Sequence, residues 1–274
     1  MSSTSDTRWK ARYVKTLNFI TVICILIGCF IHIGGGLLFG FVRNVGSSET
    51  SSSASSTTGI FTEVSCDMDL GNLILQYGDE YSYEIKDYPA NATPEIELKN
   101  DKLVIKQKSK SNNWKNNGAF KNCQVIVTIP DDGALNKADL KLNLGELEAK
   151  ELSIDDLKID LKLGGASFKD CKFDKVNIDA KMGSVSLKDC DFTTGNFEAS
   201  MGSISLESCN FDSADCSSEM GSINVNGRYS KLEADCDLGS INVKSDLNDT
   251  RFDLSTDAGS ITVNGSGYGR SYKN

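Results

Sequence analysis

Histidine and proline are almost absent from this chain of 274 residues, which has one histidine and 3 prolines. His32 lies in an apolar stretch, so Ser-His-Asp catalysis, Cys-His catalysis and His-ligated zinc are excluded from the rest of the chain. Because 24 glycines accompany so few prolines, a collagen-like or Pro-rich chain is excluded as well. No Cys-x-x-Cys pair occurs among the 9 cysteines. We therefore predict no enzyme activity, no metal and no cofactor.

Positive charge is also scarce outside the N-terminal region. The chain has 29 Lys and Arg against 38 Asp and Glu, a net charge of −9. Residues 1–43 have five basic residues and one acidic residue, an excess of +4, which leaves −13 for the remainder. A domain this acidic repels phosphate backbones, and nucleic acid is therefore excluded as a partner.

One long run without charge lies near the N-terminus. Residues 16–42 contain no Asp, Glu, Lys or Arg. A helix of this length, at ~1.5 Å per residue, exceeds the ~30 Å hydrocarbon core of a membrane. We predict one transmembrane helix over 16–42, and it is uncleaved because no Ala-x-Ala site follows it. Four basic residues precede it and only Arg43 follows it, so residues 1–15 form a cytoplasmic tail and the C-terminal domain lies outside the cell.

A lipid is the alternative anchor. Residues 26–29 are similar to a bacterial lipobox, and cleavage before Cys29 would give a lipid-anchored protein. The apolar run continues well beyond Cys29, which favours the helix. Either anchor is followed by residues 43–59, where serine and threonine dominate as in a flexible linker.

A repeat of about 19 residues fills the C-terminal half. Its mark is a glycine after an apolar or small residue, and successive glycines are 19, 19, 19, 19, 18 and 20 residues apart: Gly145, Gly164, Gly183, Gly202, Gly221, Gly239 and Gly259. Apolar or small residues recur at positions −5, −3, −1, +2 and +4 from each glycine, with Cys and Phe at +7 and +9. This alternation indicates short strands with one inward face.

Coils of this kind bury their inner faces only by stacking. We therefore predict an all-β domain over 60–267, a parallel β-solenoid of ~19-residue rungs, with a tail over 268–274. The crossover rule favours a right-handed coil, and seven rungs extend roughly 30 Å. Cys66 to Leu75 repeat the pattern as a displaced first rung, followed by an insertion over 77–122 in which we expect an antiparallel cap.

The arrangement resembles a family of bacterial envelope proteins known as putative adhesins, whose shared domain has no assigned function. The resemblance is carried by Leu70-Gly71-Asn72-Leu73, by residues 103–105 and 127–130, and by the Gly-Ser-Ile rungs, and it covers roughly 60–265. It implies a β-solenoid on a membrane-anchored envelope protein, in some members linked to envelope stress. It implies no catalytic residue.

Two sets of residues are candidate binding sites. Trp114 stands in an Asn-rich loop beside Tyr81 and Tyr83 of the same insertion, and it either anchors a ligand or packs over the solenoid. Serines at position +1, with Ser, Asn and Thr at +3, predict a flat polar strip that either docks a glycan or protein or is merely solvated: Ser203, Ser222 and Ser240 are its central members.

Cysteines and acids also recur with the repeat. Cys171, Cys190 and Cys209 stack in adjacent rungs, and we interpret them as small buried hydrophobes in preference to a metal or redox ladder. Periodic acids such as Asp160, Asp179 and Glu198 alternate with lysines, as on a salt-laced surface. The sequence therefore predicts a binding or scaffold module of the cell envelope whose partner is an envelope protein or glycan. The alternatives are a polysaccharide-active β-helix enzyme and a structural spacer without ligand.

Overall fold

The computed structural model of the chain describes residues 52–108, 122–130, 134–245 and 249–274. Within these ranges no α-helix occurs, and hence no helix long and apolar enough to cross a membrane. The predicted transmembrane helix over 16–42 lies outside the described residues, as do the first part of the linker and Trp114.

Eighteen strands belong to a single sheet in the described part of the chain. They are β1 (Ser52–Thr57), β2 (Glu63–Met68), β3 (Asn72–Gly78), β4 (Ser82–Tyr88), β5 (Glu95–Lys99), β6 (Lys102–Gln107), β7 (Gln124–Pro130), β8 (Leu135–Leu142), β9 (Leu147–Lys150), β10 (Ser153–Leu163), β11 (Ala166–Lys169), β12 (Lys172–Met182), β13 (Val185–Lys188), β14 (Asp191–Met201), β15 (Ile204–Ser245), β16 (Arg251–Val263), β17 (Ser266–Tyr268) and β18 (Ser271–Lys273).

The repeats pair in parallel and in register. β8, β10, β12 and β14 stack along one side of the coil, so that Phe173 pairs with Phe192 and Phe192 with Phe211. β9, β11, β13 and the start of β15 stack along another side, where Val185 pairs with Ile204. Partners in these pairs are 19 residues apart. The predicted all-β parallel solenoid with rungs of that length is confirmed.

The first coil of the chain is not the first coil of the stack. β2 lies between β6 and β8, and β3 lies between β7 and β9, in parallel on both sides. The coil of β6 and β7 therefore covers the side of the β2–β3 coil that faces away from the repeats. Residues 103–105, which the sequence analysis assigns to the insertion, thus belong to a rung of the solenoid.

Antiparallel strands lie at both ends of the stack. β4 pairs with β7, β1 pairs with β4, and β5 pairs with β6 at one end. At the other end, β17 and β18 pair with β16. Such strands satisfy backbone groups that an open parallel edge would offer to other chains. The expected antiparallel cap is formed by β4 and β5, and residues 268–274, expected as a tail, contribute β18.

Alternate residues of each strand form one continuous core. In β12, Phe173, Ile178 and Ala180 are buried, and the equivalent residues of the neighbouring rungs are buried with them. The cysteines of the described ranges are all free and all buried. Burial of this apolar surface, at roughly 25 cal/mol per Å², is the main force that holds the coils together.

Two corners of the coil are built differently. At the first corner, a Cβ on Gly202 would lie 1.8 Å from the carbonyl oxygen of Gly183, and the same contact recurs from rung to rung. Only glycine fits where successive rungs stack so closely. The second corner uses residues with positive φ, including Asp170 at 54° and Asp189 at 53°. Aspartate tolerates this left-handed region better than most residues do.

One column that the sequence places inside the core faces solvent instead. These are the residues at position −1, directly before each corner glycine. Leu163 is 36% exposed and Leu238 is 45% exposed, and the methionines between them are half-buried. The prediction for this column is wrong because the chain begins to turn before the glycine, so that positions −2 and −1 both point outward.

Candidate binding groove

A groove runs along the stack where each rung bends after its Cys-x-Phe segment. Its volume is about 770 Å³. We call it the axial groove. Strands β12, β14 and β15 supply its floor, and the outward residues on both sides of each floor residue supply its walls. The floor consists of Phe173, Phe192, Phe211 and Tyr229.

Three of the four floor residues of the axial groove form a stack of aromatic rings. The ring centroids of Phe192 and Phe211 are 4.6 Å apart with an interplanar angle of 6°. Those of Phe211 and Tyr229 are 4.6 Å apart with an angle of 3°. All floor residues are buried, so only the edges of the rings reach the groove. The stack holds the rungs of the groove at a fixed spacing of ~4.8 Å.

Polar columns form the two walls. The first contains Ser153, Lys172, Asp191 and Asn210 in register, followed by Arg228. The second contains Asp155, Asp174, Thr193, Asp212 and Ser230. The Nδ2 atom of Asn210 donates a hydrogen bond of 2.7 Å to Oδ1 of Asp191. Carboxylates outnumber cations on these walls, and both signs are present.

This chemistry suits an elongated ligand rich in hydroxyl, amide or amino groups. The walls present acceptors and donors at every rung, so a ligand with a regular repeat meets equivalent groups along the groove. In the described part of the chain, no group of three His, Cys, Asp or Glu side chains is placed to hold a metal ion. Side-chain hydrogen bonds and charge are the interactions that the walls of the axial groove offer to a ligand.

A smaller depression lies over the polar column at position +3. Its volume is about 360 Å³, and Ser205, Asn224, Asn242 and Thr262 are among its lining residues. The Nδ2 atom of Asn242 donates a hydrogen bond of 3.1 Å to Oδ1 of Asn224. These amides are therefore partly occupied with each other, as in a ladder that ties adjacent rungs.

The tyrosines that the sequence predicts as binding residues pack against the core instead. Tyr81 and Tyr83 are partly buried and pack against the hydrophobic core. The ring of Tyr81 lies edge-on to Phe61, with centroids 4.8 Å apart. Neither tyrosine lines the axial groove. Trp114, which the sequence predicts as their partner in ligand binding, lies outside the described residues.

The predicted serine strip is part of the glycine corner. Ser203, Ser222 and Ser240 are half-buried. The hydroxyl oxygen of Ser203 accepts a hydrogen bond of 3.3 Å from the backbone N–H of Ser222, and the Oγ atoms of Ser240 and Ser260 are 3.4 Å apart. These hydroxyls join adjacent rungs, so they are less available to a ligand than the sequence pattern suggests.

The stacked cysteines behave as buried hydrophobic residues. The hydrogen bond that Cys171 shares with Cys190, together with burial, raises the pKa of Cys171. The same two causes raise the pKa of Cys209. Burial likewise raises the pKa of Cys66 and Cys216. A raised pKa keeps these four thiols protonated at neutral pH, which agrees with their interpretation as core residues. Cys190, which lies between Cys171 and Cys209, is the exception, because its hydrogen bonds to those two thiols lower its pKa.

The axial groove is a candidate site that the sequence pattern did not predict. Its wall residues differ from rung to rung, with Lys172, Asp191, Asn210 and Arg228 at equivalent places, so the column does not stand out as a motif. A signal was nevertheless present, because two successive outward residues follow each repeated Cys-x-Phe. This break in alternation marks the bend that creates the groove.

The fold and groove together define a class of protein, a parallel β-solenoid with antiparallel ends and an open polar groove along its side. A family model described as Toastrack DUF4097 matches residues 72–271. The chain belongs to this family, which confirms the resemblance to the putative-adhesin domain of unknown function. No curated protein matches the chain.

Two solved structures are similar to this chain at low sequence identity. A putative adhesin from Bacteroides fragilis has a TM-score of 0.59 and 18% identity, and the similarity covers 79% of this chain and 97% of the other. A putative cell adhesion protein from Clostridium sporogenes has a TM-score of 0.47 and 15% identity, with coverage of 64% and 99%. At 18% identity, the similarity to the Bacteroides fragilis structure shows the fold alone.

Proposed function

We propose that the protein is a binding or scaffold module of the cell envelope, with an adhesin-like role or a role in envelope stress. In this proposal a transmembrane helix over 16–42 anchors the chain with its N-terminus in the cytoplasm. A right-handed solenoid is presented outside the cell and acts without catalysis. Its partner is an envelope protein or glycan, which binds in the axial groove.

The observation that carries this proposal is the axial groove itself. An open channel with a rigid aromatic floor and hydrogen-bonding walls fits a long, flexible polymer that touches several rungs at once. Rigid presentation lowers the entropic cost of binding, because the paired strands that carry the wall residues are already in register before the ligand arrives.

Two further observations support placement in the envelope. The uncharged run over 16–42 has the length of a membrane span, and the basic residues before it favour a cytoplasmic N-terminus. The Bacteroides fragilis protein of the same fold is named a putative adhesin. Mass spectrometry of membrane-extracted protein should find residues 1–28 attached. A mature N-terminus at a lipid-modified Cys29 would replace the helix with a lipid anchor.

Capture from intact envelopes tests the groove. The full-length protein, solubilised in detergent and immobilised, is incubated with envelope glycan and protein fractions. Thr193→Trp fills the axial groove, whereas Thr194→Trp places the same bulk on the next exposed residue outside it. We expect Thr193→Trp to reduce capture at least tenfold and Thr194→Trp to leave it unchanged. Equal capture by both variants would remove the groove as the binding site.

The same assay tests the two sites that the sequence suggests. Trp114→Ala removes the loop aromatic, and a triple change of Ser203, Ser222 and Ser240 to Lys alters the serine strip. Full capture by both variants is expected if the groove is the site. Loss of capture with Trp114→Ala alone would move the contact to the loop over 108–122, and loss with the folded lysine variant alone would move it to the serine strip.

The wall carboxylates favour one rival function, because polysaccharide-active enzymes use pairs of carboxylates. Incubation of the protein with cell-wall and plant polysaccharides, followed by assay of new reducing ends, separates binding from turnover. Release that Asp174→Asn and Asp191→Asn abolish would establish an enzyme. Failure to capture any envelope component would favour a spacer without ligand.

A further inference from the structure

An apolar ridge runs along the solenoid at the residue before each corner glycine. Its members come from successive rungs, and direct pairs include Leu163 with Met182, Met182 with Met201, and Met201 with Met220. The ridge is exposed or half-buried along its whole length. It consists of Leu144, Leu163, Met182, Met201, Met220, Leu238 and Ala258.

A charged column lies directly beside this ridge, one residue earlier in each rung. Its charged residues differ in sign along the stack, with lysines towards the N-terminal rungs and acids towards the C-terminal rungs. The column consists of Asn143, Lys162, Lys181, Ser200, Glu219, Asp237 and Asp257. None of the ion pairs that the described residues form includes one of these charged side chains.

The two columns are symmetric about the rung of Met201. On either side of it, Met182 corresponds to Met220 one rung away, and Leu163 corresponds to Leu238 two rungs away. In the charged column the corresponding residues one and two rungs from Met201 have opposite charge, whereas Asn143 and Asp257 at the ends do not. Lys181 corresponds to Glu219, and Lys162 corresponds to Asp237.

We infer that a second copy of this chain docks on the apolar ridge, antiparallel to the first, with the two-fold axis at Met201. A two-fold axis perpendicular to the stack keeps the charged columns of the two copies on the same side and reverses their direction. Lys181 of one copy then faces Glu219 of the other, and Lys162 faces Asp237. The exposed leucines and methionines are buried between the two solenoids.

The charges beside the ridge favour a second copy of the chain, and not a lipid surface, as the partner that covers it. Glu219, Asp237 and Asp257 border half of the ridge and repel an anionic membrane, while Lys162 and Lys181 border the other half. Burial, together with the carboxylates of Asp235 and Asp257, raises the pKa of Asp237. No ion pair of the described residues includes this carboxylate, and the dimer brings a lysine to it.

The narrow ridge predicts a weak dimer. A single column of side chains buries less than the roughly 1,200 Å² found in stable interfaces. Self-association is therefore expected at high concentration, as on a membrane surface, and it weakens as salt screens the four interchain ion pairs.

Charge reversal in the full-length protein, measured by sedimentation in detergent, tests the orientation. Lys181→Glu and Glu219→Lys each create two like-charge contacts across the axis, and each should weaken dimerisation by about tenfold. The double variant Lys181→Glu/Glu219→Lys restores both contacts and should return to within about threefold of the original affinity. A monomeric original protein at all concentrations, or a double variant as weak as the single ones, would overturn the proposal.

Cysteine cross-linking locates the axis. The native Cys24 and Cys29 are first changed to serine. In that background, residue 201 of one copy faces residue 201 of the other, so Met201→Cys should form a disulfide-linked dimer when oxidised. Met182→Cys faces position 220 and should cross-link only when mixed with Met220→Cys. Equal cross-linking of Met182→Cys alone and Met201→Cys alone would contradict a two-fold axis at Met201. Thermal melting verifies that each variant is folded.

Discussion

The repeat region over 135–263 and the N-terminal region over 52–130 stack coils in different ways. In the repeat region, each rung follows its neighbour in chain order, and equivalent residues hold adjacent rungs together. In the N-terminal region, the order is broken and individual side chains replace the repeated contacts. Oε1 of Gln107 accepts hydrogen bonds of 3.0 Å from the N–H groups of Asp69 and Leu70, and Nε2 donates one of 3.2 Å to the carbonyl of Ala92. In the repeat region, equivalent contacts between successive rungs hold the stack together. In the N-terminal region, where the repeat is absent, hydrogen bonds of individual side chains such as Gln107 take their place.

The largest effect is expected at the glycine corner of the repeat region. In Gly202→Val, the new Cβ would overlap the carbonyl of Gly183, since the two atoms would be 1.8 Å apart. Every rung beyond it would have to shift, so we expect a loss of more than about 4 kcal/mol in the free energy of unfolding. Denaturant titration of the full-length protein measures it.

Substitutions of two glycines near the C-terminus distinguish the effect of steric overlap on stability from the effect of backbone strain. Gly265 has open space around it but a φ of +83°, so Gly265→Val should cost about 1–3 kcal/mol from strain alone. Gly267 has open space and no positive φ, so Gly267→Val should change stability by less than about 0.5 kcal/mol. Equal losses at Gly202 and Gly267 would show that the corner glycines do not set the stacking distance.

A smaller effect is expected from the network of the N-terminal region. Gln107 is 1% exposed, so Gln107→Leu leaves the buried N–H of Leu70 and the carbonyl of Ala92 without this partner. We expect a loss of about 1–3 kcal/mol in the free energy of unfolding. Gln76→Leu is the matched control, because its bond to Thr128 is exposed. Equal stability of the two variants would mean that the N-terminal region does not depend on Gln107.

The smallest effect on stability is expected from the removal of a single carboxylate charge. This change should stabilise the repeat region and destabilise the N-terminal region. Burial, with the nearby Glu233 and Glu198, raises the pKa of Asp215 in the repeat region. At a pH above this pKa, the ionised carboxylate therefore lowers the free energy of unfolding. This destabilisation disappears as the pH falls and the carboxylate is protonated. Asp215→Asn should raise stability at pH 7 by less than about 1 kcal/mol and have no effect below about pH 3.

Glu97 in the N-terminal region supplies the opposite case. The hydrogen bond and charge of Lys99 lower the pKa of Glu97. Its contribution to stability is present at neutral pH and is lost as pH falls through the lowered pKa. Glu97→Gln should therefore lower the melting temperature at pH 7 and not in acid. Parallel pH profiles for Glu97→Gln and Asp215→Asn would contradict this difference between the regions.

The repeat region could be predicted from sequence because its spacing fixes its register. Once Gly183 and Gly202 are aligned, every inward residue of one rung has its partner in the next. The stack order of the N-terminal region could not be predicted, because the pairing of residues 63–68 with both 102–107 and 137–142 depends on contacts far apart in the chain. The hydrophobic pattern of Cys66 to Leu75 identifies a rung but not its neighbours.

Surfaces were harder to predict than the core. The apolar residues before each glycine match the strand pattern, and only the bend of the backbone turns Leu163 and Leu238 outward. Ser203 and Ser222 look like a docking strip in the sequence, yet their hydrogen bonds join adjacent rungs. The alternation of apolar and polar residues can be seen within one segment of the sequence. A corner or a groove, in contrast, is formed by several rungs together.

The broken stack order has a consequence for synthesis. The coil of β2 and β3 is made first, but both of its partner coils come later, at residues 102–130 and 135–150. At about 5–20 residues per second, the ribosome takes on the order of 5–15 s to supply them. During that interval two unpaired strand edges are open to other chains. We therefore expect a chaperone or secretion factor that binds nascent chains to bind mainly to this first coil.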